Sequence, residues 1–327
     1  MARETDTRHI TLVDLPLIRR LGSKATVLDN TIEFTQDVYE PNTSTLTNIL
    51  LPQRSLVTLV SRSAKSQVVG QVRLPPDEQN AQIVYIAPHL DEHTDDTPWL
   101  HLLDAMAREV GQRSGHALVA EVAEDASLFE TMRNAGFAVY ARQRVWRRTS
   151  GHFDLPENRD LIPKAVTDVD VPQVHALIAS IVPTLMQPFC QPQGEFEGLL
   201  YRHDEKVVAF IEVTTGKQGI YLSPYVREDH ADDVPMMMVN ALRQLPRAEK
   251  LPVYVRVSRY QEWLNLPLEK LGFAPGPRQA MMVRHITAGV RHAQFKPVHV
   301  ENAAVAGPAK YPPNNSRNTE TPHVFDR

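Results

Sequence analysis

With 327 residues, this chain is long enough for two ordinary domains, each burying its own core, and its 42% hydrophobic and 23% charged residues are those of a soluble globular protein. A net charge of −4 gives no reason to expect nucleic acid or a membrane surface as a partner. The single cysteine, Cys190, excludes an intrachain disulfide, and no basic-then-apolar leader or long apolar run is seen, so a cytoplasmic protein is expected.

In chain order, residues 1–8 are polar, and His9 to Gly22 begins strand-like before Asp14-Leu15-Pro16, a helix start. Residues 40–55 read as a loop or second helix, followed by strands at Leu56–Val60 and Val68–Val72. The run Ile83 to Ile86 is of strand length and ends in Ala87-Pro88. After a loop, Thr97 suits a helix cap and Pro98 the first turn, while Trp99, Leu103, Met106 and Val110 recur at helical spacing and form one buried face. A strand at Ala117–Val122, a turn at Asn134-Ala135-Gly136-Phe137 and a last strand follow. That strand carries Arg142, Arg144, Arg147 and Arg148 around Trp146, read as a solvated strand end with the first two arginines on one face.

The same succession then returns. Tyr221 and Pro224 match Tyr85 and Pro88, Val207–Ile211 matches Val68–Val72, Pro252–Val257 matches Ala117–Val122, and Lys270-Leu271-Gly272-Phe273 matches the first Gly-Phe turn at equal distance from its proline. The second opening is the clearer one: Ile162–Val166 as strand, Asp168 and Asp170 near a cap, Pro172 in the first turn, and Val174, Leu177, Ile178 and Ile181 at helical spacing. Four correspondences in order predict duplication of a domain-sized unit. The divisions expected are a first domain at 1–149, a polar linker at 150–160, a second domain at 161–290, and a Pro- and Asn-rich extended or disordered tail at 291–327.

This order of elements, with a hydrophobic strand ending in Ala-Pro or Ser-Pro before the main helix and a Gly-Phe turn near the end, resembles the Gcn5-related N-acetyltransferase superfamily over nearly the whole chain. The resemblance implies an α+β fold of three layers. In it, two tandem acyl-CoA N-acyltransferase-like domains each carry a mixed, mostly antiparallel sheet flanked by helices. It also implies transfer of an acetyl group from acetyl-CoA, as co-substrate, to an amine. Such a site must hold a diphosphate at a helix start, stabilise an oxyanion and manage two protons. The backbone near Ile86 and Ala87, or near Leu222 and Ser223, would receive the thioester, and His93 and His230 are the loop side chains that would assist.

Two departures stand against that activity. Neither loop, His89–Thr97 or Tyr225–Val234, contains a glycine; the first carries Asp91, Glu92, Asp95 and Asp96, the second Glu228, Asp229, Asp232 and Asp233. Carboxylates near helix starts favour the macrodipole, but carboxylates facing a diphosphate repel it. Where the family places a proton-donating tyrosine, four residues before the Gly-Phe glycine, this chain has Met132 and Leu268. No catalytic residue is therefore assigned. Tyr140, Tyr221 and Tyr225 are substitutes if they turn inward, and Glu121 and Glu212 are bases only if their strands face a cleft. Cys190 has no adjacent histidine and is not read as a nucleophile. HExxH, CxxC, GxSxG and P-loop motifs are absent, and no metal is expected.

Two readings stay open: a tandem N-acetyltransferase acting on an amine of a small molecule or protein, and a catalytically inactive tandem protein that keeps the fold as a ligand-binding or interaction scaffold. The acceptor is unknown; homo-oligomerisation is possible.

Overall fold

The apolar runs of the sequence become strands of one sheet. The computed structural model describes residues 6–36, 55–63, 66–76, 78–149, 161–191 and 196–286. The expected linker and tail, and most of the loop or helix at 40–55, lie outside the described residues.

The first repeat consists of β1 (Asp6–His9), α1 (Leu15–Gly22), β2 (Thr26–Val27), α2 (Asn30–Thr35), β3 (Leu56–Arg62), β4 (Gln67–Arg73), β5 (Asn80–Ala87), α3 (Thr97–Gln112), β6 (Ala117–Ala123), α4 (Ser127–Asn134) and β7 (Ala138–Arg148). The second consists of β8 (Lys164–Ala165), α5 (Val171–Ile181), α6 (Gln187–Cys190), β9 (Gly198–His203), β10 (Lys206–Thr215), β11 (Ile220–Val226), α7 (Val234–Gln244), β12 (Val253–Ser258), α8 (Asn265–Lys270) and β13 (Ala274–His285). A capping box precedes α1 at Thr11 and Asp14, and another precedes α5 at Thr167 and Asp170. The expected cap of α3 shifts by one residue: Thr97 is the first helical residue, and its amide and hydroxyl donate to Asp95 at 3.1 and 2.6 Å.

Both Gly-Phe turns are helix C-terminal caps. Gly136 (φ 84°) and Gly272 (φ 78°) take the left-handed conformation that glycine adopts without a Cβ penalty. The following amides, Phe137 and Phe273, then donate to the carbonyls of Met132 and Leu268, both at 3.0 Å. The phenylalanines are buried, as are the side chains of Met132 and Leu268. The position where the family resemblance looks for a tyrosine is thus a core position in both repeats.

The strand order is β1-β3-β4-β5-β6-β13-β7-β12-β11-β10-β9-β8, with β2 on β5. The pairs β5–β6 and β11–β12 are parallel; the other pairs are antiparallel. Read from either end the order is the same succession of elements, and the two halves meet at β13–β7. There Gln279 faces Gln143, each at the same distance beyond its own cap glycine. The sheet therefore has an approximate twofold at that glutamine pair. The final strands are exchanged: β13 pairs with β6 of the first repeat and β7 with β12 of the second.

Each exchanged strand completes the other repeat's core. Ala280 and Met282 of β13 are buried with Leu102, Leu103, Met106 and Met132 of the first repeat. Trp146 of β7 is buried with Val255, Leu264, Leu268 and Phe273 of the second, and its Nε1 donates to Asn265 Oδ1 at 2.9 Å. On the opposite face, α5 residues Val174, Leu177 and Ile178 form one cluster with Ala117 and Val119 of β6 and Met281 of β13. Because of these shared cores, the described residues up to Ile286 form one compact unit.

Candidate functional site

In each repeat the two parallel strands stay paired for three positions and then part. In the first, Asn80–Gln82 pair with Ala117–Val119; in the second, Ile220–Leu222 pair with Val253–Val255. Beyond these points the inner edges of β5 and β11 lose their partner, so backbone groups there need one.

In the first repeat the chain itself supplies the partner. Thr26 and Val27 pair with Ile86 and Tyr85, the Leu28 amide donates to Val84 at 2.8 Å, and His89 donates to Lys24 at 2.6 Å. From the other side, the Glu121 amide donates to the Leu28 carbonyl at 2.9 Å. Asp29 then caps α2 by accepting from the Ile32 amide at 3.2 Å. The strand edges of the first opening are thus paired as far as His89, and beyond it a cavity of about 920 Å³ lies between Lys24, His89, Asp91, Thr94 and Trp99.

Among the described residues, no such strand enters the second opening. The Ile220 amide donates to Pro252 and the Arg227 amide to Val208, so alternation directs even-numbered residues of β11 toward the opening and odd-numbered ones toward β10. Of the residues beyond the paired stretch, Pro224 has no amide proton, and its carbonyl accepts from Gln261 Nε2 at 3.3 Å. The next amide facing the opening is that of Val226. It borders a cleft of about 370 Å³ lined by Ser180, Ile181, Arg227, Asp229, Tyr260 and Trp263, among others.

A second cavity, of about 280 Å³, lies at the seam of the repeats and brings together Asp29, Arg73, Glu121, Cys190, Glu212, Tyr225 and Arg256. Glu121 accepts from the Asn30 amide at 2.8 Å and from Gln143 Nε2 at 2.6 Å. Burial pushes the carboxyls of Glu121 and Glu212 above their ordinary value, with the Arg256 charge pulling back on both. Arg256 donates to the Tyr225 hydroxyl at 2.7 Å, and that hydroxyl donates to the Cys190 carbonyl at 3.2 Å. Cys190 Sγ lies 4.0 Å from the Tyr260 hydroxyl, so cleft and cavity approach each other at this pair. Burial raises the Cys190 thiol and pushes the Tyr260 hydroxyl up to about 12, so both hold their protons near neutrality.

The residues singled out in the sequence are placed differently from expectation. The backbones of Ile86 and Ala87 are occupied by β2 and β4, that of Leu222 by β12, and Ser223 faces Glu212 in β10. His93 is exposed, and His230 Nδ1 lies 3.1 Å from Asp233 Oδ2 with its ring 5.5 Å from that of His203. None of these six lines the open cleft. Tyr140 is bonded to His285 at 2.6 Å, and Tyr221 stacks on Phe34 of α2. Glu121 and Glu212, by contrast, do face a cavity. Sequence reasoning missed Tyr260, Val226, Arg256 and the β2 segment. An arginine alternating with Tyr254 and Ser258 in an otherwise apolar strand, and Asp29 followed by Glu33 after Thr-Val-Leu, were the signals for the last two.

Among the described residues no group of three or more His, Cys, Asp or Glu is placed to hold a metal ion, and no helix is long and apolar enough to cross a membrane. No family model and no curated sequence matches the chain. Among solved structures, a tandem GNAT protein from the clavulanic acid biosynthesis pathway superposes with a TM-score of 0.51 at 13% identity, covering 87% of this chain and 99% of that one. A GCN5-related N-acetyltransferase from Sphaerobacter thermophilus gives 0.49 at 11% identity over 88% and 97% of the two chains. One from Kribbella flavida gives 0.47 at 15% over 66% and 86%. The fold assignment rests on the first of these together with the strand order: the chain has the fold of the Gcn5-related N-acetyltransferases, in two tandem copies with exchanged final strands.

Proposed function

We propose that the protein is an N-acetyltransferase in which the second repeat alone holds acetyl-CoA and the first serves as a wall of the acceptor cavity. The observation that carries this is the asymmetry of the two strand openings, one sealed by Thr26–Leu28 and the other left with the Val226 amide facing a cleft. In this reading the thioester enters that cleft and its carbonyl oxygen accepts from Val226. An amine in the seam cavity attacks the carbonyl carbon, forming the C–N bond as the C–S bond breaks. The ammonium proton passes to Glu212, whose carboxylate makes no hydrogen bond among the described residues, and Tyr260 protonates the departing thiolate. Cytoplasmic operation is part of the same proposal.

The test is thermal unfolding of the full chain with acetyl-CoA, followed by a thiol-release assay across amines. Ligand at a hundredfold above its Kd should add about 2.7 kcal/mol. Val226→Pro, which removes the amide facing the cleft, should abolish the shift while circular dichroism stays native. No shift at millimolar acetyl-CoA would sink the proposal.

The scaffold reading is favoured by one observation. Glu228 and Asp229 line the cleft, and Asp229 already engages Arg227 at 2.9 and 3.1 Å, leaving that guanidinium less available to a phosphate. A ligand shift without turnover on any amine would select it.

A further inference from the structure

At the seam, a pocket of about 300 Å³ is lined by Arg142, Arg144, Arg259 and Arg278 against two carboxylates among the described residues, Glu124 and Glu262. The first two arginines come from the basic run of β7. The other two arrive from β13 and from the turn after β12, so strand exchange is what gathers them. Arg144 and Arg278 are direct cross-strand partners. Like charges in that position repel, and facing Cβ atoms in such a pair lie about 5 Å apart. Glu124 is committed to Arg142 at 2.5 Å, and no ion pair is formed by Arg144, Arg259 or Arg278 among the described residues.

A chain with net charge −4 thus concentrates unpaired guanidinium groups where its own topology forces two of them together. Their planar forks match the oxygens of a phosphoryl group, and a bound dianion would turn the repulsion into attraction. The pocket volume suits a small metabolite rather than a macromolecule. We propose that this pocket binds a small phosphorylated molecule, at a site separate from the acyl-donor cleft: it is lined from β7 and β13, whereas that cleft lies beyond the end of β11.

Inorganic pyrophosphate is the probe. It should raise the melting temperature of the full chain at low ionic strength, less so at high salt. Arg144→Gln with Arg278→Gln should weaken pyrophosphate binding at least tenfold by calorimetry. Without ligand the double variant should melt at or above the wild-type temperature, because a repulsive pair has been removed; Arg259→Gln should weaken binding without touching that pair. The acetyl-CoA shift should be unchanged in the double variant. Absence of a pyrophosphate effect, an equal effect in the double variant, or loss of acetyl-CoA binding along with it would each overturn the proposal. So would protection by an acidic peptide but not by pyrophosphate.

Discussion

Tyr260 and Asp14 show how neighbours decide what a single side chain does. Tyr260 holds its proton to about pH 12 because it is buried beside Cys190. If Tyr260 protonates the thiolate as proposed, Tyr260→Phe should lower kcat for thiol release about 100-fold with acetyl-CoA affinity kept. Met132→Tyr should restore nothing, because Met132 is packed in the core. Asp14 has no exposed side-chain surface and meets Arg8 at 2.7 Å and Arg62 at 2.5 Å. The Arg8 hydrogen bond, opposed by burial, lowers its carboxyl from 3.8 to about 2. The folded state therefore binds fewer protons than the unfolded one between those values. The stabilisation, about 2 kcal/mol, is fully present above pH 4 and is lost as the pH falls toward 2. Urea unfolding should show Asp14→Asn weaker than wild type at pH 7 and the two converging only below pH 2.

Elements were legible where a period or a cap wrote them into the sequence. The helix α3 and its buried face, the β5 and β11 runs and the opening of α5 follow directly from spacing. The two-residue β2 strand did not, because so short a segment carries no period; only its pairing with Tyr85 and Ile86 defines it. The site residues were hidden for a related reason. Glu121 and Glu212 read as strand glutamates, and only the packing of α2 and α6 over that face makes a cavity of it. The α2 helix lies across the seam, with Phe34 stacked on Tyr254 at 4.4 Å and the Gln218 amide donating to Thr35 at 3.2 Å. A Cβ at Gly216 would stand 1.9 Å from the Thr35 carbonyl oxygen. Gly216→Ala should accordingly cost about 1–3 kcal/mol in urea unfolding. Less should follow at Gly22, where a Cβ meets nothing within 4 Å.

For the whole molecule, duplication was visible in the repeated prolines and Gly-Phe turns, but exchange was not. Local sequence is the same whether β7 returns to β6 or crosses to β12; the choice lies in contacts far apart along the chain. It has a direct consequence for stability. A fragment ending at Thr149 lacks Ala280 and Met282 from its core, and one beginning at Leu161 lacks Trp146. Neither fragment should fold when expressed separately, and both should be recovered together as a soluble complex when co-expressed. Calorimetry of the intact chain should give one unfolding transition. Two independent transitions would show that each half completes its core unaided.

The face-to-face glutamines Gln143 and Gln279 bear on origin. Two identical polypeptides trading their terminal segments would build this same sheet around such a residue meeting its own copy. Once fused, the partners are free to diverge. Glu121 lies beside Met281 and Arg256 beside Val145, matching places in the halves that now bear opposite charge. A symmetric pair would present two alike chambers; the described residues of this chain instead enclose a lopsided room, whose acidic wall comes partly from one copy and whose basic wall comes partly from the other.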